Sequence, residues 1–97
     1  MTRVRILREA TEELRAIAQY YEAQRLGLGR AFAEEVRRAQ LRIQERPLAS
    51  RIERGEIRVR TVARFPYRIY YRARKDEILI IAIAHRRRRP GFWRARL

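Results

Sequence analysis

The sequence predicts one α+β domain over residues 1–97, built from one strand, an antiparallel helical hairpin, a three-stranded antiparallel meander and a short C-terminal tail. Three observations carry that reading. Two consecutive stretches, parted by Gly27 and Gly29, place apolar residues at helical spacing. After Gly55 the period of the pattern drops to two. A lone alternating stretch opens the chain. The order strand, helix, helix, then strands is that of an α+β domain.

Each element has its own signal. From Thr2 to Leu7, Val4 and Ile6 alternate with Arg3 and Arg5, as in a half-buried strand. Glu9, Glu12 and Glu13 then put negative charge in the first turns of a helix, where the macrodipole favours it. Leu14, Ile17, Ala18 and Tyr21 form its apolar stripe. Gly27 and Gly29 stop that helix, and Phe32, Val36, Ala39 and Ile43 repeat the stripe until Pro47 ends the second. The link between the helices is short, so they run antiparallel. The polar stretch Ala49 to Gly55 reads as a loop. Ile57, Val59 and Thr61 then alternate with Arg58 and Arg60. In the next segment Phe65, Tyr67, Ile69, Tyr71 and Ala73 share one face, and Arg68, Tyr70, Arg72 and Arg74 the other. Lys75-Asp76 makes a tight turn into Ile78–Ala84, which is apolar on both faces, as a central strand is.

Composition narrows the function. The 97 residues include 25 basic and 11 acidic side chains, a net charge of +14, with no cysteine. That excludes a disulfide scaffold, a thiol nucleophile and a cysteine zinc site. The single histidine, His85, excludes a multi-histidine metal site, and nothing calls for a cofactor. The longest apolar run, Ile78–Ala84, is too short for a membrane span, and the N-terminus lacks the apolar stretch of a signal peptide. A cytoplasmic protein with no membrane partner is expected. The charge is uneven: residues 1–53 carry 11 basic and 8 acidic side chains, residues 54–97 carry 14 and 3. The second half should therefore attract an acidic partner or nucleic acid. Of the 25 basic residues 24 are arginine, a compositional bias, so position rather than number must carry the argument.

Two groups stand out by position. If the strand faces coincide, Arg58, Arg60, Arg68 and Arg72 form a concave basic surface around Tyr70, able to hold phosphates and stack a base. The basic aromatic tail, Arg86 to Arg89 with Phe92 and Trp93, would extend it, or its aromatics would plug the sheet. His85 reads either as a strand-end histidine bonded to nearby backbone or as a general acid/base. Glycine-rich phosphate loops, carboxylate dyads and serine–histidine patterns are absent from the sequence.

The segments Arg64-Phe65-Pro66-Tyr67-Arg68-Ile69-Tyr70-Tyr71-Arg72, Ile80-Ile81-Ala82-Ile83-Ala84-His85 and Arg88-Arg89-Pro90-Gly91-Phe92-Trp93 resemble the RelE/ParE superfamily of bacterial toxins. Its members are toxin components of type II toxin–antitoxin modules, often labelled plasmid stabilisation proteins. Ala10, Leu14, Ala18, Tyr20-Tyr21-Glu22, Gly27-Leu28-Gly29, Phe32, Glu35-Val36 and Pro47 agree with the family's helical hairpin. The resemblance implies two helices on an antiparallel sheet and a cognate acidic antitoxin. It leaves two branches open. Ribonuclease members cut messenger RNA on the ribosome with basic residues that fall here on Arg58, Arg60, Arg68 and Arg86, and with a tail tyrosine that falls on Phe92. Others pair a strand-end histidine with a carboxylate, which here means His85 and Glu56. Arginine keeps the positive charge but stays protonated and is a poor general base. The ParE branch poisons DNA gyrase and needs no such base. The resemblance thus favours a gyrase-directed toxin whose tail, Arg86–Arg89 with Phe92 and Trp93, meets the target. A messenger RNA endonuclease using Arg58, Arg68, His85 and Arg86 is the rival, and a non-toxic basic nucleic-acid-binding protein is the third reading.

Overall fold

An uninterrupted apolar strand needs cover on both faces, and Ile78–Ala84 finds it. The computed structural model, which describes residues 2–97, runs β1 (Arg3–Ile6), α1 (Arg8–Gln24), α2 (Leu28–Glu45), β2 (Arg51–Arg54), β3 (Ile57–Thr61), β4 (Tyr67–Arg74) and β5 (Glu77–His85), then a closing 3-10 turn, Phe92–Arg96. The five strands form one sheet in the order β1-β5-β4-β3-β2. β1 pairs parallel with the first half of β5, and every other pairing is antiparallel.

The strand, the hairpin, the three long C-terminal strands and the tail lie where the pattern put them. One correction concerns the polar stretch 49–55: it contains β2, so the meander has four strands rather than three. Arg51-Ile52-Glu53-Arg54 carries one apolar residue, and Ile52 is 51% exposed, so this edge strand has no buried face to leave a pattern.

The helices cover one face of the sheet. Phe32, Val36, Ala39 and Ile43 of α2 meet Ile69, Tyr71, Ile78, Ile80 and Ile83, with Leu14, Ile17 and Tyr21 of α1 packed at the margin. Tyr21, Phe32, Phe65 and Tyr67 form an aromatic cluster with ring centroids 4.9 to 6.1 Å apart. The Tyr71 hydroxyl donates to the Pro47 carbonyl at 2.7 Å, fixing the chain just past α2 to the sheet.

The hairpin is locked at its bend. Gly27 has φ +87°, which a side chain would strain, and Gly29 lies so close to α1 that an added Cβ would sit 2.4 Å from the Ala18 carbonyl oxygen. Glu22 accepts hydrogen bonds from the Gly27 and Gly29 backbone N–H groups at 2.9 and 3.0 Å. These satisfy free donors at the start of α2 and hold the Glu22 carboxyl below its usual value.

Candidate functional site

β5 leaves the sheet by a sharp turn that His85 organises. Its Nδ1 accepts a hydrogen bond from the Arg87 backbone N–H at 3.1 Å, and its carbonyl accepts one from Arg88 at 2.9 Å. The Arg86 N–H donates to the Pro66 carbonyl at 2.9 Å. Arg86, Arg87, Arg88 and Arg89 are therefore fixed by backbone bonds while their side chains stand exposed. Among the described residues none of the four has a carboxylate within ion-pair distance.

Gly91, at φ +77°, then folds the chain back over the sheet. Trp93 is 4% exposed, packed in a second core with Ile57, Val59, Tyr70, Leu79, Ile81, Ala82 and Ala84. Its indole N–H donates to Glu53 of β2 at 2.7 Å, the partner a buried indole needs. Phe92 stands edge-on to Tyr70 at 5.2 Å, with the Arg88 guanidinium 4.3 Å from its centroid. Arg96 closes the strap, donating to both carboxylate oxygens of Glu13 at 2.9 and 2.7 Å and to the Ile81 carbonyl at 3.0 Å. Glu13 also accepts from the Ile83 N–H at 3.0 Å. These bonds satisfy β5 backbone groups past the end of β1, beside the irregular register at Tyr70/Tyr71.

The tail is thus two devices in one segment. Arg86, Arg87 and Arg89 offer free positive charge, Arg88 lies over the Phe92 ring, and Phe92 with Trp93 are the plug. Trp93 is buried against the sheet and gives a target no surface; Phe92 keeps only a partly exposed edge.

The expected concave arginine surface does not form. Arg58 lies opposite Tyr71 and Arg60 opposite Ile69, which puts both on the helix side; Val59 lies opposite Tyr70, which puts Arg68, Tyr70 and Arg72 on the far side. Tyr70 is 1% exposed beneath Phe92 and presents no ring for stacking. Burial raises its hydroxyl above the usual phenol range, and the Arg68 guanidinium beside it opposes that shift. Arg58 donates to the Leu48 and Ser50 carbonyls at 3.1 and 2.8 Å, holding the loop before β2. Arg60 lines a shallow groove of about 350 Å³ between α2 and β3, with Glu35, Arg38 and Arg42.

Nor do the nuclease candidates converge. His85 packs edge-on to Tyr67 at 5.4 Å on the helix side, whereas Arg68 points to the opposite side. Glu56 accepts two bonds from Arg74, at 3.2 and 2.9 Å, at the far end of β4 from Tyr67. The seven residue steps from Tyr67 to Arg74 cover roughly 23 Å, so Glu56 and His85 cannot share a proton-transfer site. The Arg74 guanidinium holds the Glu56 carboxyl below its usual range. The periodicity missed Glu13, Glu53 and Arg96, which anchor the tail; each partner lies at least 40 residues away in sequence, and no local pattern marks it. No helix among the described residues is long and apolar enough to cross a membrane.

Comparison with known proteins bears on this arrangement. Residues 4–90 match the family model described as "ParE toxin of type II toxin-antitoxin system, parDE". A solved structure described as "Chromosomal ParDE TA system from P. aeruginosa" is similar, with 22% sequence identity and a TM-score of 0.71, covering 88% of this chain and 96% of that chain. At that identity the likeness speaks to the fold, and it agrees with the α+β arrangement above. No curated protein matches the chain in sequence.

Proposed function

We propose, because the chain belongs to the ParE toxin family of type II toxin–antitoxin systems, that it arrests growth by binding DNA gyrase and trapping its cleaved-DNA intermediate. A cognate ParD-type antitoxin, acidic enough to complement a +14 chain, neutralises it. One observation supports a binding mechanism over a nucleolytic one. Arg58 is spent on loop carbonyls, His85 and Arg68 face opposite ways, and Glu56 sits at the other end of the sheet. Phosphodiester cleavage needs a base and a charge stabiliser within reach of one phosphate. A gyrase poison needs a surface, and the rigidly held, unpaired Arg86–Arg89 run is our choice for it.

Purified gyrase decides the matter. Added toxin should block supercoiling and accumulate cleaved DNA, and charge removal across Arg86–Arg89 should reverse both. Gyrase unaffected by excess toxin would end the proposal. Degraded messenger RNA during growth arrest, abolished in His85→Ala or Arg68→Ala, would replace it with the endonuclease. Harmless expression without an antitoxin would favour the non-toxic reading.

A further inference from the structure

The face of the sheet away from the helices has a regularity that the tail does not account for. Hydrogen-bond register aligns Arg5, Leu79, Arg72, Ile57 and Arg54 in one row across all five strands. Leu79 and Ile57 belong to the core on this side, so the whole row points away from the helices. Basic and apolar residues alternate along it. Strands lie about 4.8 Å apart, which spaces the arginines by about 10 Å and makes the row about 19 Å long. Arginine stems lie over apolar neighbours while their heads stay in water, so Leu79 and Ile57 keep the guanidinium groups apart and raised.

The row is only partly neutralised. Arg5 shares one exposed 3.4 Å contact with Glu77, and Glu56 is engaged by Arg74. Arg72 and Arg54 have no carboxylate within ion-pair distance among the described residues. The surroundings carry both signs with positive charge in excess: Arg3, opposite Glu77, and Arg51, opposite Val59, share this face with Glu53, whose carboxylate is taken up by the Trp93 indole. The helical layer differs, with six basic and seven acidic side chains across α1 and α2, a net −1 in a chain of +14.

We propose that this face docks duplex DNA through its phosphate backbone. Charge favours a polyanion. The choice of duplex follows from what the face lacks. Single strands are held by stacking on exposed aromatic rings, whereas Tyr70 and Trp93 are buried here and Phe92 is taken up by Tyr70 and Arg88. About 19 Å of duplex axis carries roughly eleven phosphate charges, ample partners for three guanidinium groups. The docking rests on the gyrase reading only for its setting. It places the toxin on the DNA that the enzyme holds, with Arg86–Arg89 left free for protein.

Fluorescence anisotropy of the full chain with a labelled 20-base-pair duplex, titrated against salt, tests this without gyrase. The triple variant Arg5→Gln/Arg54→Gln/Arg72→Gln should bind at least tenfold more weakly at low salt. The slope of log affinity against log salt should become shallower by about 2.7, at about 0.9 per phosphate contact. A control with the same loss of charge from exposed helix positions, Arg15→Gln/Arg30→Gln/Arg37→Gln, should keep most of both. Equal losses in the two variants would overturn the proposal. So would tighter binding of a single strand of the same length, or displacement of the duplex by a glutamate-rich peptide at lower concentration than by unlabelled duplex. Unchanged thermal melting of both triples confirms that folding is not what is read. DNA binding by this face in a protein that leaves gyrase untouched would defeat the proposed function and leave this inference standing.

Discussion

The two faces of the sheet each carry a buried core and are very differently built. On one, Ile80 is covered by two helices of 17 and 18 residues; on the other, Ile81 is covered by a 3-10 turn of five residues. The helix face is a broad apolar contact in which many side chains share the work. The far face depends on a few anchors: Trp93 on Glu53, Phe92 on Tyr70 and Arg96 on Glu13. The charge divides the same way, since the helices are nearly neutral and the strands, turns and tail hold the excess.

The sharpest test of that contrast is Trp93→Ala. Truncating a buried tryptophan costs about 3–5 kcal/mol, the range also expected for Phe32→Ala in the helix core. Urea unfolding followed by circular dichroism should give similar losses, although one residue lies in a helix of 18 and the other in a turn of five. A Trp93→Ala midpoint within error of the parent would refute the anchor role. Next comes Gly29→Ala. Alanine's helix propensity would gain about 1 kcal/mol, but the 2.4 Å approach to the Ala18 backbone forces the helices apart, and a net loss of about 1–3 kcal/mol is expected. A stabilised variant would mean that the hairpin is looser than its geometry shows. Arg96→Gln should cost about 1–2 kcal/mol, because Glu13 and the Ile81 carbonyl lose a charged donor in a largely buried place. Hydrogen exchange at the Ile83 amide should speed up with it; unchanged protection would show that the clamp does not hold the strand.

The smallest effect depends on pH. The folded Glu22 carboxyl lies below its usual value near 4.5, chiefly through the Gly27 N–H bond and then that of Gly29. Its contribution is complete above that usual value and is lost as pH falls through the lowered folded one. Thermal melting between pH 6 and 3 should fall less steeply in Glu22→Gln than in the parent. Parallel curves would assign the acid sensitivity elsewhere, with Glu56, depressed by Arg74, the first alternative.

What the sequence could announce tracks the same division. Val36, Ala39 and Ile43 on α2, and Ile69 and Tyr71 on β4, repeat at the periods their elements impose, so the helix face was legible from spacing alone. The relation between β3 and β4 was not. Whether Arg58 faces with Arg68 or against it depends on a turn that holds Arg64, a residue without the freedom of glycine, at φ +71°, and no periodicity reports that angle. In β5, Ile81 and Ala82 both belong to the far core because the ladder to β4 shifts register between Tyr70 and Tyr71. The row Arg5, Arg72, Arg54 was out of reach for the same reason: its members come from three strands, and only the pairing brings them into line.

The parallel contact of β1 with β5 joins Arg3 to Glu77, a separation of about three quarters of the chain. At about 5–20 residues per second a ribosome needs roughly 4–15 s between those two residues. During that interval the residues of the helical hairpin are made with no complete sheet to pack on. A premature stop anywhere before residue 77 leaves β1 unpaired and removes Ile78, Ile80 and the whole tail. The protein is therefore completed last where it is most basic.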